Sequence, residues 1–566
     1  MTDRAHATLS GAELTIKLLA RHGVDTLFAL SGNGVLAFFD AALDADIRVI
    51  DTRHESAAVQ AAGGRALCTR KPEVCIVTEG PGLCNALGGI AGLHHDGVPV
   101  IVITNCEADD LFGTSCFQEV PQVEAAAAIS KWSVKVHDIR QLPDVIARAF
   151  REAAAGIPGP VVITLPNHVV HGHVDAALLT RRTPALSKAT SATQPSAEFI
   201  AQTLALLQKA HKPVILAGAG AFWDGADEPL LRFAEHTGIP VGTCSLGRGL
   251  VPDQHPCCFG DGTPGGAPPA LMEADTVLVL GERIDHLFAF GQRWAPGATI
   301  VQVCAEPVAI ARSIDTAAST SADSRAVMAA LLSALGPATW PRTDWLARLK
   351  AGQAERLAEL HAVTPETAAG IHPGQVAKVL QEVAGRDRVT IFDGANGMIW
   401  AREYLPVHNP EHFIHMGRLG MIGMGLPYAL GARTVHPDLP VILVVGDGSL
   451  GFHFMEFETA IRHQLPLVVV VLNDSAWGIE QHFQRRIFAR TTGTALSHVR
   501  YDQLAQSLGG FGAYVTKEEE LAGVLRTALA TGVPAIVNVR TENVEHRTVA
   551  AAGKRLLQQH REHQPR

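Results

Sequence analysis

The residues best equipped for chemistry stand in two turns. Val445-Gly446-Asp447-Gly448-Ser449-Leu450-Gly451 closes an apolar run with Gly-Asp-Gly, and Leu472-Asn473-Asp474-Ser475-Ala476-Trp477-Gly478 closes a second run with oxygen-bearing groups. A helix-length stretch separates them. Carboxylate and carbonyl oxygens suit a hard cation such as Mg2+ or Ca2+. Glycine lets a backbone approach a phosphate closely, and a helix N-terminus favours the phosphate's charge. Two such turns on neighbouring strand ends can grip one metal-bound diphosphate.

A lone Gly-Asp-Gly is an ordinary turn, but this pair resembles the metal and diphosphate motif of thiamine-diphosphate enzymes. The resemblance implies Asp447, Asp474 and the backbone oxygen of Ala476 as the metal ligands. Gly446, Gly448, Ser449, Trp477, Gly478 and Ile479 then surround the diphosphate. The family usually carries Asn where this chain has Asp474, which keeps a hard oxygen and adds a negative charge. Asp393-Gly394-Ala395-Asn396-Gly397 resembles the family loop that reaches the diphosphate from its other side, implying Gly394, Ala395 and Asn396 as further contacts.

Other segments extend the resemblance. Asp51-Thr52-Arg53-His54-Glu55-Ser56 opens an Ala-rich helix and looks like the catalytic-glutamate block, with Glu55 as the carboxyl that bonds the aminopyrimidine nitrogen N1′. In His415-Met416-Gly417-Arg418-Leu419-Gly420-Met421-Ile422, Ile422 matches the apolar wedge that bends the coenzyme, and the Gly420 carbonyl matches the acceptor for its 4′-amino group. Phe112 to Glu124 is similar to a segment of acetolactate synthases, benzaldehyde lyase and 2-hydroxyacyl-CoA lyases, where the glutamine matching Gln118 faces the reacting carbon. Benzaldehyde lyase has a histidine in its first glycine-rich loop. Leu30-Ser31-Gly32-Asn33 has none, so Ser31, Gly32 and Asn33, with Met398, are expected to line the substrate pocket. The implied reaction runs from coenzyme activation by Glu55, through attack on a carbonyl and loss of CO2 or an aldehyde, to an enamine that is protonated or joined to a second carbonyl.

The elements that must position these groups are readable. Short β-branched runs alternate with helix-length spans, as in Ile47–Ile50, Cys75–Val77, Val100–Ile103 and Val161–Ile163; the pattern returns from Val214 to Val303 and again from Val389 to Val539. That is the mark of βαβ units around parallel sheets. We therefore expect three doubly wound α/β domains: an N-terminal pyrimidine-binding domain over residues 1–175, a central Rossmann-like domain over 195–340, a diphosphate-binding domain over 370–548, and a polar tail over 549–566. About 176–196 and 337–370 read as linkers with some helix. Lys212 to Gly220 resembles the start of the central domain that holds FAD in acetolactate synthases and ADP in oxalyl-CoA decarboxylase. Gly247 to Pro256 looks like the acyl-CoA branch, but the Arg-containing segment that usually follows is replaced by Gly260-Asp261-Gly262-Thr263-Pro264-Gly265-Gly266.

Composition narrows the classes. The 566 residues are about four times a typical domain, too many for one core. A net charge of −9 has the wrong sign for a nucleic-acid binder, and no run of about 18 apolar residues exists to span a membrane. Nine cysteines without a Cys-x-x-Cys pair argue against a disulfide framework or structural zinc and fit a reduced, cytoplasmic protein. No Gly-x-Gly-x-x-Gly with a downstream acid supports an NAD-linked dehydrogenase. The expected activity is a thiamine-diphosphate- and Mg2+-dependent carbon-carbon lyase or carboligase acting on a 2-oxo acid or acyloin. The alternatives are a 2-hydroxyacyl-CoA lyase or oxalyl-CoA decarboxylase-like enzyme and, from another class, an inactive coenzyme-binding regulatory subunit. Because relatives place each coenzyme between the first domain of one subunit and the last of another, the resemblance implies a homodimer or homotetramer. Charged residues make up only 18% of the chain, consistent with surface buried between subunits.

Overall fold

The computed structural model describes residues 8–180, 192–261, 270–336, 340, 344–362, 370–394, 396–415 and 417–562. Ala395, Met416, the run 262–266 and much of both linkers lie outside the described residues. Among the described residues, three parallel sheets of six strands each carry helices on their faces. In the first sheet the order is Arg48–Asp51, Thr26–Ala29, Glu73–Val77, Val100–Cys106, Val161–Pro166 and Trp132–Lys135. The last sheet repeats this topology with Phe413–His415, Val389–Asp393, Val441–Gly446, Val468–Asn473, Ala535–Arg540 and Phe511–Val515. Between them lies a sheet in the order Cys258–Asp261, Val241–Thr243, Pro213–Ala217, Thr276–Leu280, Thr299–Val303 and Ala318–Thr320, the dinucleotide-fold arrangement.

Inner strands such as Val468–Asn473 are buried along their whole length, so they read as continuous apolar runs rather than alternating ones. In the first and last sheets the strand order reverses between the first and third strands of the domain, and loops diverge there to leave a crevice at the carboxyl ends. That crevice falls between Ala29 and Val77 in one sheet and between Asp393 and Gly446 in the other. Both sites are where the chemically capable turns lie.

The two outer domains of one chain pack through Glu55–Thr69 and Gly425–Val435. The helices approach so closely that a Cβ on Gly431 would lie 2.0 Å from the Ala61 carbonyl, and one on Gly64 would lie 2.4 Å from that of Tyr428. Polar contacts flank the seam. Asp51 accepts from Arg462 at 2.5 Å and pairs with His463 at 2.8 Å, while Arg65 holds Glu73 at 3.0 Å and Thr434 at 3.0 Å. The second linker contributes the helix Trp345–His361, whose Trp345 indole donates to the Pro213 carbonyl at 3.1 Å. The expected polar tail is the helix Arg547–Glu562, anchored by buried Val549 and Gly553. No described helix is long and apolar enough to cross a membrane.

Candidate active site

In the last domain the strand Val389–Asp393 delivers Asp393 to the crevice. Its buried carboxylate accepts from the backbone N–H groups of Gly394 at 2.6 Å, Gly423 at 3.0 Å and Gly425 at 2.9 Å. Burial pushes Asp393 up to about 6, opposed by those three N–H donors. Asp393 thus ties the start of one loop to the end of another, a role that its quoted motif offered but that the sequence reading did not assign.

The neighbouring strand ends in Gly446 and opens the short helix Asp447–Leu450. Asp447 is 3% exposed and its carboxyl lies within hydrogen-bonding reach of Asp474. Burial raises both carboxyls, and the charge of Asp447 raises Asp474 further. Two acids so close in a dry crevice either share a proton or hold a cation. Asp474 also accepts from the Ala476 N–H at 3.2 Å, which sets the second turn and leaves the Ala476 carbonyl beside the pair in sequence.

The surroundings fit a metal-bound diphosphate. A Cβ on Gly394 would lie 2.9 Å from the Ser449 hydroxyl, one on Gly448 would lie 2.5 Å from the Trp477 indole, and one on Gly446 would meet nothing within 4 Å. Side chains at these positions would fill the cradle. Gly478 sits where a Cβ would touch Asp474 at 2.8 Å, Asn543 at 2.9 Å and Asn396 at 3.2 Å. Asn396 donates to Asn543 and to the Val544 carbonyl, both at 3.1 Å, and its own carbonyl oxygen is buried without a partner. A buried acceptor left open beside two acids fits a bound ligand. Ile479 follows on the helix Gly478–Phe488 and is half-buried. Met398 is expected at the substrate pocket. It is 6% exposed and packs in the apolar core of this domain with Phe392 and Leu472, because its helix turns that face toward the sheet.

In the first domain Glu55 opens the helix Glu55–Thr69, capped by His54, whose ring accepts from the Ser56 N–H at 3.1 Å. The Glu55 carboxylate is buried and accepts from Asn85 at 3.0 Å through Oε2. Its other oxygen lies 3.5 Å from where a Cβ on Gly82 would stand. Gly80, in the same turn, has φ +59 and abuts Gln118, which itself lies at φ 63. Ser31, Gly32 and Asn33 leave the first strand beside them, with Gly32 against Thr78. The structure therefore gathers Glu55, Gln118 and the Ser31–Asn33 loop around one crevice, and Asp447, Asp474 and Asn396 around another.

The loop 417–423 spans the two domains. Gly420 has φ +71 and is exposed, Ile422 is half-buried, and the Met421 sulfur accepts from Gln60 at 3.4 Å. His453 bonds the Gly423 carbonyl at 2.7 Å and meets the His54 ring edge-on at 5.4 Å. Arg418 fastens the loop: its N–H donates to Asp96 at 2.7 Å, and its buried guanidinium holds Glu282, Asp285 and, at 2.9 Å, the Ser245 hydroxyl. Arg418, Asp96, Glu79 and Asn105 were not read from sequence as site residues. Their partners lie up to 322 positions away, as between Arg418 and Asp96, and no local pattern connects them.

Residues 9–126 match the model of the thiamine pyrophosphate enzyme N-terminal TPP binding domain, 200–331 that of the central domain, and 393–539 that of the C-terminal TPP binding domain. A probable acetolactate synthase of Mycobacterium bovis is 30% identical over 546 residues, covering 96% of this chain and 97% of that protein. Human 2-hydroxyacyl-CoA lyase 1 is 30% identical over 563 residues, covering 95% and 96%. The acetolactate synthase isozyme 2 large subunit of Escherichia coli is 29% identical over 554 residues, covering 95% and 96%. With all three domain models matched in order and relatives aligned nearly end to end, the chain belongs to the thiamine pyrophosphate enzyme family.

Proposed function

We propose that this thiamine-diphosphate-dependent lyase or carboligase makes and breaks the carbon-carbon bond beside a carbonyl, on a 2-oxo acid or an acyloin. The observation that carries this reading is the Asp447–Asp474 pair at the reversal point of the last sheet, matched by Glu55 at that of the first. Asp447, Asp474 and the Ala476 carbonyl would hold Mg2+, and Gly394, Asn396, Gly446, Gly448, Ser449, Trp477, Gly478 and Ile479 would enclose the diphosphate, with Ala395 of the same motif outside the described residues. Bound there, thiamine diphosphate supplies a nucleophilic carbon and an electron sink. Glu55, whose Oε2 accepts from Asn85, would offer its other oxygen to hold or move a proton at the coenzyme's ring nitrogen. The Gly420 carbonyl and the Ile422 side chain would help hold the coenzyme, and Gln118 would orient a substrate oxygen. The Glu282 carboxylate lies over Gly218, where a Cβ would be 2.2 Å from it, and argues against a phosphate of FAD or ADP in the central domain.

The reading includes the domain limits given above, a cytoplasmic setting, and a homodimer or homotetramer in which Glu55 of one subunit faces Asp447 of another. It is tested by product analysis with added thiamine diphosphate and Mg2+ against pyruvate, acetoin, benzoin, formaldehyde and oxalyl-CoA. Glu55→Gln should cut turnover by about a hundredfold or more while leaving coenzyme binding in place; full activity in that variant refutes the assignment. A second reading, cleavage of a 2-hydroxyacyl-CoA, is favoured by the equal identity to the human lyase. Release of an acyl-CoA-derived aldehyde decides for it.

A further inference from the structure

Gln118 borders a small cleft whose acidic wall the assignments above leave unused. Glu79, Glu107, Phe112, Phe117, Gln118 and Gln122 form its walls, and no Lys, Arg or His is among its described lining residues. Glu79 lies in the strand-to-helix turn with Gly80, which abuts Gln118, and Gly82 follows in the first turn of the helix near Glu55. It is 6% exposed, its N–H donates to the Asn105 side-chain oxygen at 3.0 Å, and its carboxylate accepts from the Asn105 amide. The same Asn105 amide reaches Asn167 at 3.4 Å, and Asn167 donates to Glu107 at 3.1 Å. Gln122 closes the frame, accepting from the Gly80 N–H at 2.7 Å and donating to the Asn105 carbonyl at 2.8 Å.

A chain of amides therefore holds two carboxylates at one wall of the pocket. Burial, and then the charge of Glu107, pushes Glu79 up to about 7. A cation is close but occupied: Lys135 pairs with Asp109 at 2.5 Å and lies 4.8 Å from the Phe112 ring centre. The wall thus offers acceptors and negative charge, with apolar rings opposite. A hydroxyl can donate to such a wall. A substrate carboxylate has no proton to give and meets like charge wherever these groups are ionised, which for Glu79 is above about pH 7.

We propose that Glu79, supported by Glu107, determines the substrate class by admitting an uncharged, hydroxyl-bearing donor such as an acyloin and rejecting the carboxylate of a 2-oxo acid. The inference rests on the placement of Gln118 at the substrate in the preceding section. It narrows that reading, since either donor fits the family chemistry.

The test compares kcat/KM of the full-length protein, loaded with thiamine diphosphate and Mg2+, for acetoin and benzoin against pyruvate and benzoylformate. The wild type should favour the acyloins by about tenfold or more. Glu79→Gln, which keeps an oxygen for Asn105, should shift the ratio toward the 2-oxo acids by about tenfold, mainly through their KM. Glu107→Gln should shift it the same way and serves where the first variant does not fold. A wild type that prefers the 2-oxo acids, or ratios unchanged in both variants, overturns the proposal while the function stands. No coenzyme-dependent turnover of any of the four donors overturns the reading of the site, and this inference with it.

Discussion

Asp474 is the residue where this chain departs from its family's usual asparagine, and the structure shows what the change does locally. Its oxygen still accepts from the Ala476 N–H, so the turn survives, while a second charge is placed beside Asp447. Ligand charge count is one of the quantities that tunes a hard-cation site. Asp474→Asn should therefore keep the fold and weaken binding of Mg2+ or Mn2+ by about tenfold, read as a metal titration of Trp477 fluorescence. Unchanged metal affinity would show that the second carboxylate does not face the ion. Glu55, Gln118, Asp447 and Asp474 were all legible in the sequence because each lies in a short motif at a strand or helix end. Glu79 was not legible, since its meaning comes from Asn105 and Glu107, at and just beyond the end of the strand Val100–Cys106.

At the scale of elements, the seam between Glu55–Thr69 and Gly425–Val435 sets where Glu55 stands relative to its own chain's last domain. Gly431 allows the helices to touch backbone to backbone, and carbonyl atoms cannot move aside as a flexible side chain would. Gly431→Ala should cost about 1–3 kcal/mol and lower the thermal midpoint. Gly523 offers the control. It is exposed on the helix Glu518–Ala530, where a Cβ would meet nothing within 4 Å, so Gly523→Ala should gain about 0.5–1 kcal/mol from helix propensity. Equal effects of the two variants would refute the close-packing account. Long β-branched runs disclosed most inner strands in advance, though not Thr26–Ala29 or Val241–Thr243, which are short. Trp132–Lys135, Cys258–Asp261, Ala318–Thr320, Phe413–His415 and Phe511–Val515 went unread because they are short sheet edges, completed by hydrogen bonds to a neighbour rather than by their own composition.

For the whole molecule the central question is which copy of Glu55 serves which copy of Asp447. Within one chain Glu55 accepts from Asn85 of its own domain, and Asp447 lies beside Asp474 in the last domain. Large apolar side chains stand exposed on the loops around both crevices, with Phe117 at 74%, Phe452 at 58% and Phe112 at 53%. Such exposure fits a surface covered by a second copy. Sedimentation should return at least twice the 60.1 kDa chain mass, and mixing inactive Glu55→Gln with inactive Asp447→Ala under conditions of subunit exchange should restore part of the activity. An active monomer, or no restoration in exchanged mixtures, contradicts the shared site. By itself the sequence determined the three α/β units and the motif residues, because strand periodicity and turn chemistry are local properties. Tertiary structure alone decided the repeated sheet topology, the Arg418 clamp across three domains and the acidic wall beside Gln118, because these depend on contacts between residues far apart in the chain, which no local pattern encodes.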